Sequence, residues 1–87
     1  MVARFGEIGD WNVSAVTRMI NLFFNQKDFN EDISRWDTSN VTNMSHMFAF
    51  ASSFNQSVEG WNTANVTDME DMFFLARSFT QRPSWLR

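Results

Sequence analysis

The sequence predicts an α+β repeat solenoid of three stacked 25-residue coils, each a short helix plus a short strand, with a small parallel sheet along the stack. Two observations carry this prediction. A shift of 25 positions aligns several residue columns without a gap, and a fixed period of about 20 to 50 residues is typical of repeat architectures. Apolar residues within each period also follow one helix face. The aligned columns are Trp11, Trp36 and Trp61; Val16, Val41 and Val66; Thr17, Thr42 and Thr67; Met19, Met44 and Met69; Phe23, Phe48 and Phe73; and Phe29, Phe54 and Phe79.

We interpret the whole chain as a single solenoid domain. Its parts are a partial N-terminal coil at residues 1–10, units at residues 11–35 and 36–60, and a third unit with a C-terminal cap at residues 61–87. The cap is indicated by Pro83, which takes the place of Ile33 and Val58 in the earlier units. Because proline donates no hydrogen bond to a neighbouring strand, Pro83 predicts an edge strand at this end.

A short helix is expected in each unit. In the second unit Met44, Met47, Phe48 and Ala51 have the i, i+3, i+4, i+7 spacing of a helix face. Helices this short are stable only when they pack against neighbours. The same pattern recurs at Met19, Leu22 and Phe23 and at Met69, Met72, Phe73 and Ala76. Helix caps are expected at Thr17, Thr42 and Thr67, and Thr67 is expected to form a capping box with Glu70.

A polar turn is expected to open each unit, and a short strand is expected to close it. Asp, Asn, Ser and Thr favour turns because their side chains bond to nearby backbone groups. An alternating stretch near the end of the first two units predicts strands of three or four residues, which stacking would pair in parallel. The expected turns are residues 12–15, 37–40 and 62–65, and the expected strands are residues 32–35 and 57–60.

The composition restricts both the partner and the chemistry. Ten Phe, four Trp and six Met supply large side chains for a narrow core. The formal net charge of −3 argues against a nucleic-acid partner, because phosphate binding needs a basic patch. No cysteine is present, so disulfides and thiolate chemistry are excluded. We expect no membrane span, since no stretch approaches about 20 apolar residues, and we see no signal or anchor segment.

Residues 36–54 and 61–79 share the pattern W-[DN]-T-[SA]-N-V-T-x-M-x-x-M-F-x-x-A-x-S-F. This pattern resembles the 25-residue repeat of BspA-like surface proteins, which overlaps the mycoplasma-lipoprotein-type repeat. Residues 29–36, FNEDISRW, resemble the F-N-x-D-I-S-x-W signature of the same family. The resemblance covers residues 8–81. It implies a leucine-rich-repeat-like solenoid on a cell surface, with adhesion or protein binding as the function.

No group of residues indicates catalysis, a cofactor or a metal. His46 is the one histidine of the chain, and we interpret it as a solvated residue with no partner for a catalytic triad. Asp68, Glu70 and Asp71 have the carboxylates that a hard cation prefers, but acidic residues at a helix start explain them better. The repeated N-V-T tripeptide forms N-glycosylation acceptor sites that matter only on a secretory route. We therefore expect no enzyme activity.

Four apolar residues outside the shared columns form the candidate partner site: Phe24, Phe50, Phe74 and Leu75. They follow the core-facing residues of each expected helix and should point outward. Their two columns read Phe, Ala, Phe and Asn, Phe, Leu, whereas a densely packed core column is expected to hold one size class. Several exposed apolar groups in one line are typical of an interaction surface.

Two functions from different classes fit these observations. The first is a non-catalytic protein–protein interaction module of the adhesion or recognition type, at a cell surface, as the resemblance implies. The alternative is a small structural subunit buried in a larger multi-protein assembly, which the short chain and its outward aromatic residues favour. Both functions predict other proteins as partners and exclude nucleic acid.

Overall fold

The backbone of residues 7–86, the range described by the computed structural model, consists almost entirely of turns. A 3-10 helix at Ile8–Asp10 is the one regular element in this range, which contains no α-helix and no strand. The prediction of a solenoid of helix-plus-strand coils with a parallel sheet is therefore wrong. Two isolated parallel bridges, Arg18 with Asn43 and Asn43 with Asp68, are the nearest approach to a sheet in these residues. The chain folds as a compact body with a radius of gyration of 12.2 Å.

Chains of overlapping turns occupy the segments where helices were predicted. In the second unit, the N–H groups of Met47, Ala49 and Ala51 each donate to the carbonyl three residues earlier. The N–H groups of the alternate residues donate to the third unit instead. In an α-helix each N–H donates to the carbonyl four residues earlier in the same segment. The alternation seen here is therefore incompatible with an α-helix. The bonds between units are Met44 to Asp68, His46 to Glu70, Phe48 to Met72 and Phe50 to Phe74, at 2.8–2.9 Å.

Residues with a left-handed backbone permit this alternation. Asn21, His46 and Asp71 occupy the same place in the three units, with φ of 58°, 56° and 51°. Asn, Asp and His are the non-glycine types most enriched at positive φ. This column is therefore a sequence signal for repeated turns, which the helical spacing of the apolar residues concealed.

The threonine column joins the units and does not cap helices. The N–H and the hydroxyl of Thr42 both donate to the carbonyl of Thr17, at 2.7 and 3.1 Å. Thr67 donates to Thr42 in the same way, at 2.8 and 3.2 Å. The predicted capping box is also wrong, because the N–H of Glu70 donates to the Asp68 carboxylate at 3.0 Å.

Turns also replace the strands predicted at residues 32–35 and 57–60. The first turn is closed by a bond from the N–H of Trp36 to the carbonyl of Ile33, and the second by one from Trp61 to Val58, both at 3.2 Å. Pro83 is buried at the start of the equivalent third turn and does not lie on an edge strand. Within residues 7–86 the N–H groups of Ile33 and Val58, which occupy the equivalent position, donate to no acceptor. A proline at position 83 therefore loses no hydrogen bond that these residues make.

The predicted core columns are confirmed in the interior of the molecule. Phe48 is fully buried, and its ring stacks on those of Phe23 and Phe73 with centroids 5.4 and 5.2 Å apart. Trp11 is 48% exposed, and Val16 of the same unit is also exposed, so two predicted columns are not buried at this end. The buried cluster comprises Met19, Phe23, Ile33, Trp36, Val41, Met44, Met47, Phe48, Ala51, Phe54, Val58, Trp61 and Met72.

The tryptophan column continues through Trp85, which lies 24 residues after Trp61. Trp36, Trp61 and Trp85 stack nearly parallel, with centroids 6.4 Å apart at each step. Their indole N–H groups donate to carbonyls of the preceding turn segments, at 2.9, 3.1 and 2.9 Å. The first six residues of the predicted N-terminal coil, and residue 87 of the predicted cap, lie outside the described residues.

The predicted polar turns are confirmed and are held by their own side chains. Asn12, Asp37 and Asn62 each accept a bond at 3.0 Å from the N–H two residues on. The Asp37 carboxylate also accepts a bond from the Ser39 hydroxyl at 2.6 Å. Both bonds from Ser39 favour the ionised carboxylate and therefore hold the pKa of Asp37 below its usual value. The bond from the Ser39 hydroxyl has the larger effect on this pKa.

We expect Phe48→Ala to lower the free energy of unfolding by about 3–5 kcal/mol, because the substitution removes a fully buried ring and leaves a cavity. Thermal and denaturant unfolding of the variant measure the loss. Phe74→Ala is the matched control, and we expect a smaller loss because its ring is 48% exposed. An unchanged unfolding midpoint for Phe48→Ala would contradict the central position of this residue.

Asp37→Asn should keep its turn at neutral pH, since Asn12 and Asn62 accept the equivalent bonds. A pKa lowered by folding adds stability above the unfolded-state pKa, and this stability is lost as the pH falls through the folded-state pKa. The variant should therefore lose less free energy of unfolding than the wild type between pH 7 and about pH 3. Equal losses for Asp37→Asn and the wild type would refute the prediction.

Candidate functional site

The four predicted partner residues lie together on the surface, and we call them the aromatic strip: Phe24, Phe50, Phe74 and Leu75. Their exposed fractions are 42%, 37%, 48% and 40%. The ring of Phe50 meets the rings of Phe24 and Phe74 edge to face, with centroids 5.6 Å away in both cases. The strip therefore includes a continuous ladder of three exposed rings, one from each unit. Its binding of a partner stays a prediction.

The rings of the strip pack against one another, so the unequal residue sizes in these two columns do not exclude packing within the chain. Phe24 and Phe74 hold the same place in their units, where the second unit has the fully buried Ala49. The next residue, Phe50, supplies the middle ring of the ladder. The two edge-to-face pairs add about 0.5–1.5 kcal/mol each beyond the burial of their area. Packing within the chain thus accounts for part of the strip and leaves its outer side uncovered by any residue in 7–86.

Two residues of the strip occupy an unfavourable backbone conformation. Asn25, Phe50 and Leu75 hold one unit position with φ of 60°, 61° and 55°. Asn tolerates left-handed φ, but for a bulky residue this conformation is rare and costs about 1–3 kcal/mol. The local backbone therefore favours the residue type of Asn25 and does not explain Phe50 or Leu75. Such strain is most common at functional sites.

Backbone hydrogen bonds hold the strip in place. The N–H of Asn25 donates to the carbonyl of Ala49, and the N–H of Phe50 donates to the carbonyl of Phe74, each at 2.8 Å. The N–H of Phe74 donates to the carbonyl of Asp71 at 3.1 Å. The bond from Phe50 to Phe74 thus joins two ring-bearing residues across units, and Phe74 is also held by a turn within its own unit. An arrangement of this kind presents a rigid surface with little ordering entropy to lose on binding.

The acidic residues of the third unit take structural places. Asp68 closes a turn by accepting from the N–H of Glu70, and this turn replaces the helix start predicted for the cluster. Asp71 lies 3.6 Å from Nε2 of His46, and both side chains are partly exposed. Within residues 7–86 there is no group of three His, Cys, Asp or Glu side chains that could hold a metal ion.

An apolar groove that the sequence did not predict lies beside the first unit. It encloses about 450 Å³, and its walls include Ile8, Trp11, Val13, Leu22 and Phe29. Trp11 and Leu22 are nearly half exposed there, although their columns are buried in later units. The repeat pattern assigns both residues to the core, so it gives no sign of a groove.

We expect Leu75→Asn to keep or raise the free energy of unfolding by up to about 1 kcal/mol, because Asn relieves the left-handed strain at this exposed position. Leu75→Val should lower it, since a β-branched side chain tolerates positive φ least. Denaturant unfolding of the two variants and the wild type gives the order. A Val variant more stable than the Asn variant would show that the backbone at this position is not strained.

Comparison with known proteins finds a family model that matches this chain. Neither a curated protein nor a solved structure matches the chain. No helix within residues 7–86 has the length and apolar character needed to cross a membrane. One family model covers residues 2–86, nearly the whole sequence. The chain therefore belongs to the family described as "Mycoplasma protein of unknown function, DUF285".

Proposed function

We propose that this chain is a non-catalytic protein–protein interaction module that contacts its partner through the aromatic strip. One observation carries the proposal: Phe50 and Leu75 are large apolar residues in a left-handed backbone, yet 37% and 40% of their surfaces remain exposed. The left-handed backbone disfavours both residues, and packing within the chain leaves more than a third of the surface of each one exposed. Contact with a partner would offset the cost of the strained backbone, because burying the exposed apolar surface of each side chain is energetically favourable.

The geometry of the strip supports this role. Three phenylalanine rings lie in contact on one surface, and clustered exposed aromatic groups mark interaction sites more often than scattered ones do. Aromatic anchors supply much of the binding energy in protein interfaces. A fixed backbone beneath them reduces the entropy lost on binding.

The finer assignment follows from the resemblance to BspA-like surface proteins. On that basis we propose an adhesion or recognition role at a cell surface, with the strip as the contact face. The matching family model has a description that names no function, so this part of the proposal depends on the repeat signature of residues 36–54 and 61–79.

The test is a photo-crosslinking experiment on the full chain in its native host. A benzoylphenylalanine at position 74 should yield a protein adduct on irradiation, because the side chain there is exposed within the strip. Adding Phe50→Ser to the same chain should reduce the adduct, since the neighbouring anchor is removed. Mass spectrometry of the adduct identifies the partner.

The matched control places the same photo-reactive residue at position 20, where Ile20 is 41% exposed outside the strip. Identical adducts from positions 20 and 74, or an adduct unaffected by Phe50→Ser, would locate the contact face elsewhere. The structural-subunit alternative predicts that the purified chain unfolds or aggregates alone, whereas an independent module is monomeric and folded. Ultracentrifugation and thermal unfolding of the wild-type chain distinguish the two.

A further inference from the structure

We propose that copies of this chain associate head to tail, with the third unit of one copy stacked against the first unit of the next. This inference goes beyond the proposed function and does not depend on the aromatic strip. Its basis is a pair of complementary rows of backbone groups at the two ends of the stack of units. We call these the acceptor end, formed by the first unit, and the donor end, formed by the third unit.

The two junctions between units inside the chain show how such rows bind. At each junction, four alternate N–H groups of one unit donate to four carbonyls of the next unit, at 2.8–3.1 Å. A threonine N–H donates in the reverse direction, from Thr42 to Thr17 at the first junction and from Thr67 to Thr42 at the second. Because both junctions use the same unit positions, the pattern belongs to the repeat and defines what a further unit would bind.

Each end of the stack lacks only the neighbour that completes this pattern. Among residues 7–86, the four equivalent carbonyls of the acceptor end accept no hydrogen bond, and the four equivalent N–H groups of the donor end donate none. The N–H of Thr17 and the carbonyl of Thr67, which belong to the reverse bond, also have no partner in this range. Unpaired backbone rows are templates for pairing with another chain. The carbonyls are those of Arg18, Ile20, Leu22 and Phe24, and the N–H groups are those of Met69, Asp71, Phe73 and Leu75.

The polarity of the two rows fixes the mode of association. In a two-fold symmetric dimer each end meets its own copy. Two acceptor ends would set carbonyl against carbonyl, and two donor ends would set N–H against N–H, so neither arrangement pairs the rows. A donor end against an acceptor end pairs every group and leaves a second pair of ends open. The contact is therefore heterologous, and it continues into longer assemblies when it does not close into a ring.

Charged side chains at the ends support the same register. Arg18 and Asp68 each form a parallel bridge with Asn43, from opposite sides, so a junction between copies would bring these opposite charges together. Complementary charge of this kind contributes to register and to the rate of encounter. By the 25-residue period, the junction brings together two opposite pairs and one like pair: Arg18 with Asp68, Asp32 with Arg82, and Lys27 with Arg77.

The donor end also supplies apolar residues for the groove beside the first unit. Val16 and Phe23 line this groove. Val66 and Phe73 hold the same unit positions at the donor end, where both are only half-buried. Stacking would therefore continue the ring column of Phe23, Phe48 and Phe73 from one copy into the next, and would bury apolar surface of both ends.

Residues 7–10 compete with an incoming copy, because they hold the unit positions of residues 82–85. Both segments cannot pack on the same acceptor end. Residues 7–10 are held to the rest of the chain by a bond from the Trp36 indole to the Ile8 carbonyl, at 2.9 Å, and by an exposed ion pair between Asp10 and Arg35. None of the residues in the 3-10 helix is buried. This segment is therefore weakly held.

The competing segment of the incoming copy is held more firmly to its own chain. Ser84 donates two bonds to the Glu59 carboxylate, and Trp85 stacks on Trp61. We therefore expect residues 7–10 to be displaced. Trp85 of one copy then stacks on Trp36 of the next, a place in the tryptophan column that Trp11, with 48% of its surface exposed, leaves open.

Disulfide trapping tests this association, because the chain has no cysteine of its own. Paired units lie about 4.8 Å apart, within reach of a disulfide, whereas Arg18 and Asp68 of one chain are two such steps apart and out of reach. An equimolar mixture of Arg18→Cys and Asp68→Cys chains should therefore form heterodimers under mild oxidation. They should form at least about tenfold faster than in the control mixture of Arg18→Cys with Ser53→Cys, whose altered residue is exposed in the second unit.

The single variants report the polarity of the contact. Arg18→Cys alone and Asp68→Cys alone should form no dimers above the level of the control mixture. Homodimers of either variant that form as fast as the heterodimer would indicate a symmetric or random contact and overturn the proposal. A mixture that crosslinks no faster than the control overturns it as well, and leaves the open end to a different occupant.

A substitution at Gly9 tests the displacement of residues 7–10. A Cβ at Gly9 would overlap the carbonyl oxygen of Asp32, so Gly9→Ala must move this segment away from the first unit. The heterodimer should then form several-fold faster, because the segment no longer lowers the fraction of chains with an open acceptor end. Gly60→Ala is the matched control, since a Cβ there meets no atom within 4 Å, and it should crosslink at the wild-type rate.

Equal crosslinking rates in the Gly9→Ala and Gly60→Ala chains would overturn the proposal, because the two segments would then not compete for one end. Circular dichroism and thermal unfolding check that both variants fold. If Gly9→Ala does not fold, Asp10→Ala replaces it, since it removes only the exposed ion pair with Arg35. An unchanged rate for Asp10→Ala then has the same consequence.

Discussion

A row of backbone hydrogen bonds between successive units governs the rest of the structure. In the first unit the N–H groups of Met19, Asn21, Phe23 and Asn25 donate to the second unit, which repeats the arrangement toward the third. Because every second N–H is used in this way, the segment cannot form an α-helix. The same bonds place equivalent residues above one another, so identical side chains meet as stacked rings in the interior.

The apolar columns could be predicted from the sequence because they depend only on the period. Phe48, Phe54 and Trp61 are buried as expected, and the Asx turns opened by Asn12 and Asp37 follow from their residue types. Secondary structure could not be predicted from apolar spacing alone. An i, i+3, i+4, i+7 pattern also fits overlapping turns, and a bond between units leaves no local trace in the sequence.

The exposed ring ladder could be predicted only in part. Column comparison indicated Phe24, Phe50, Phe74 and Leu75 because their sizes vary between units. It did not reveal that Phe50 replaces the ring missing at Ala49, since that exchange depends on the orientation of two adjacent residues. Positive φ at Phe50 and Leu75 was equally hidden, because no residue type at these two positions signals it.

The strip and the core differ in a way that bears on function. In the core, equal positions repeat and rings stack nearly parallel, as for Phe48 and Phe73 at 3°. In the strip, the middle ring comes from the neighbouring position, and Phe50 meets Phe24 and Phe74 at 79° and 85°. A phenylalanine at position 49 with Asn at position 50 would match the first unit and avoid the strained backbone. The observed arrangement instead joins three exposed rings edge to face, although it places Phe50 in a strained backbone. Local conformation does not explain this choice of residue, and under the proposed function contact with a partner offsets its cost.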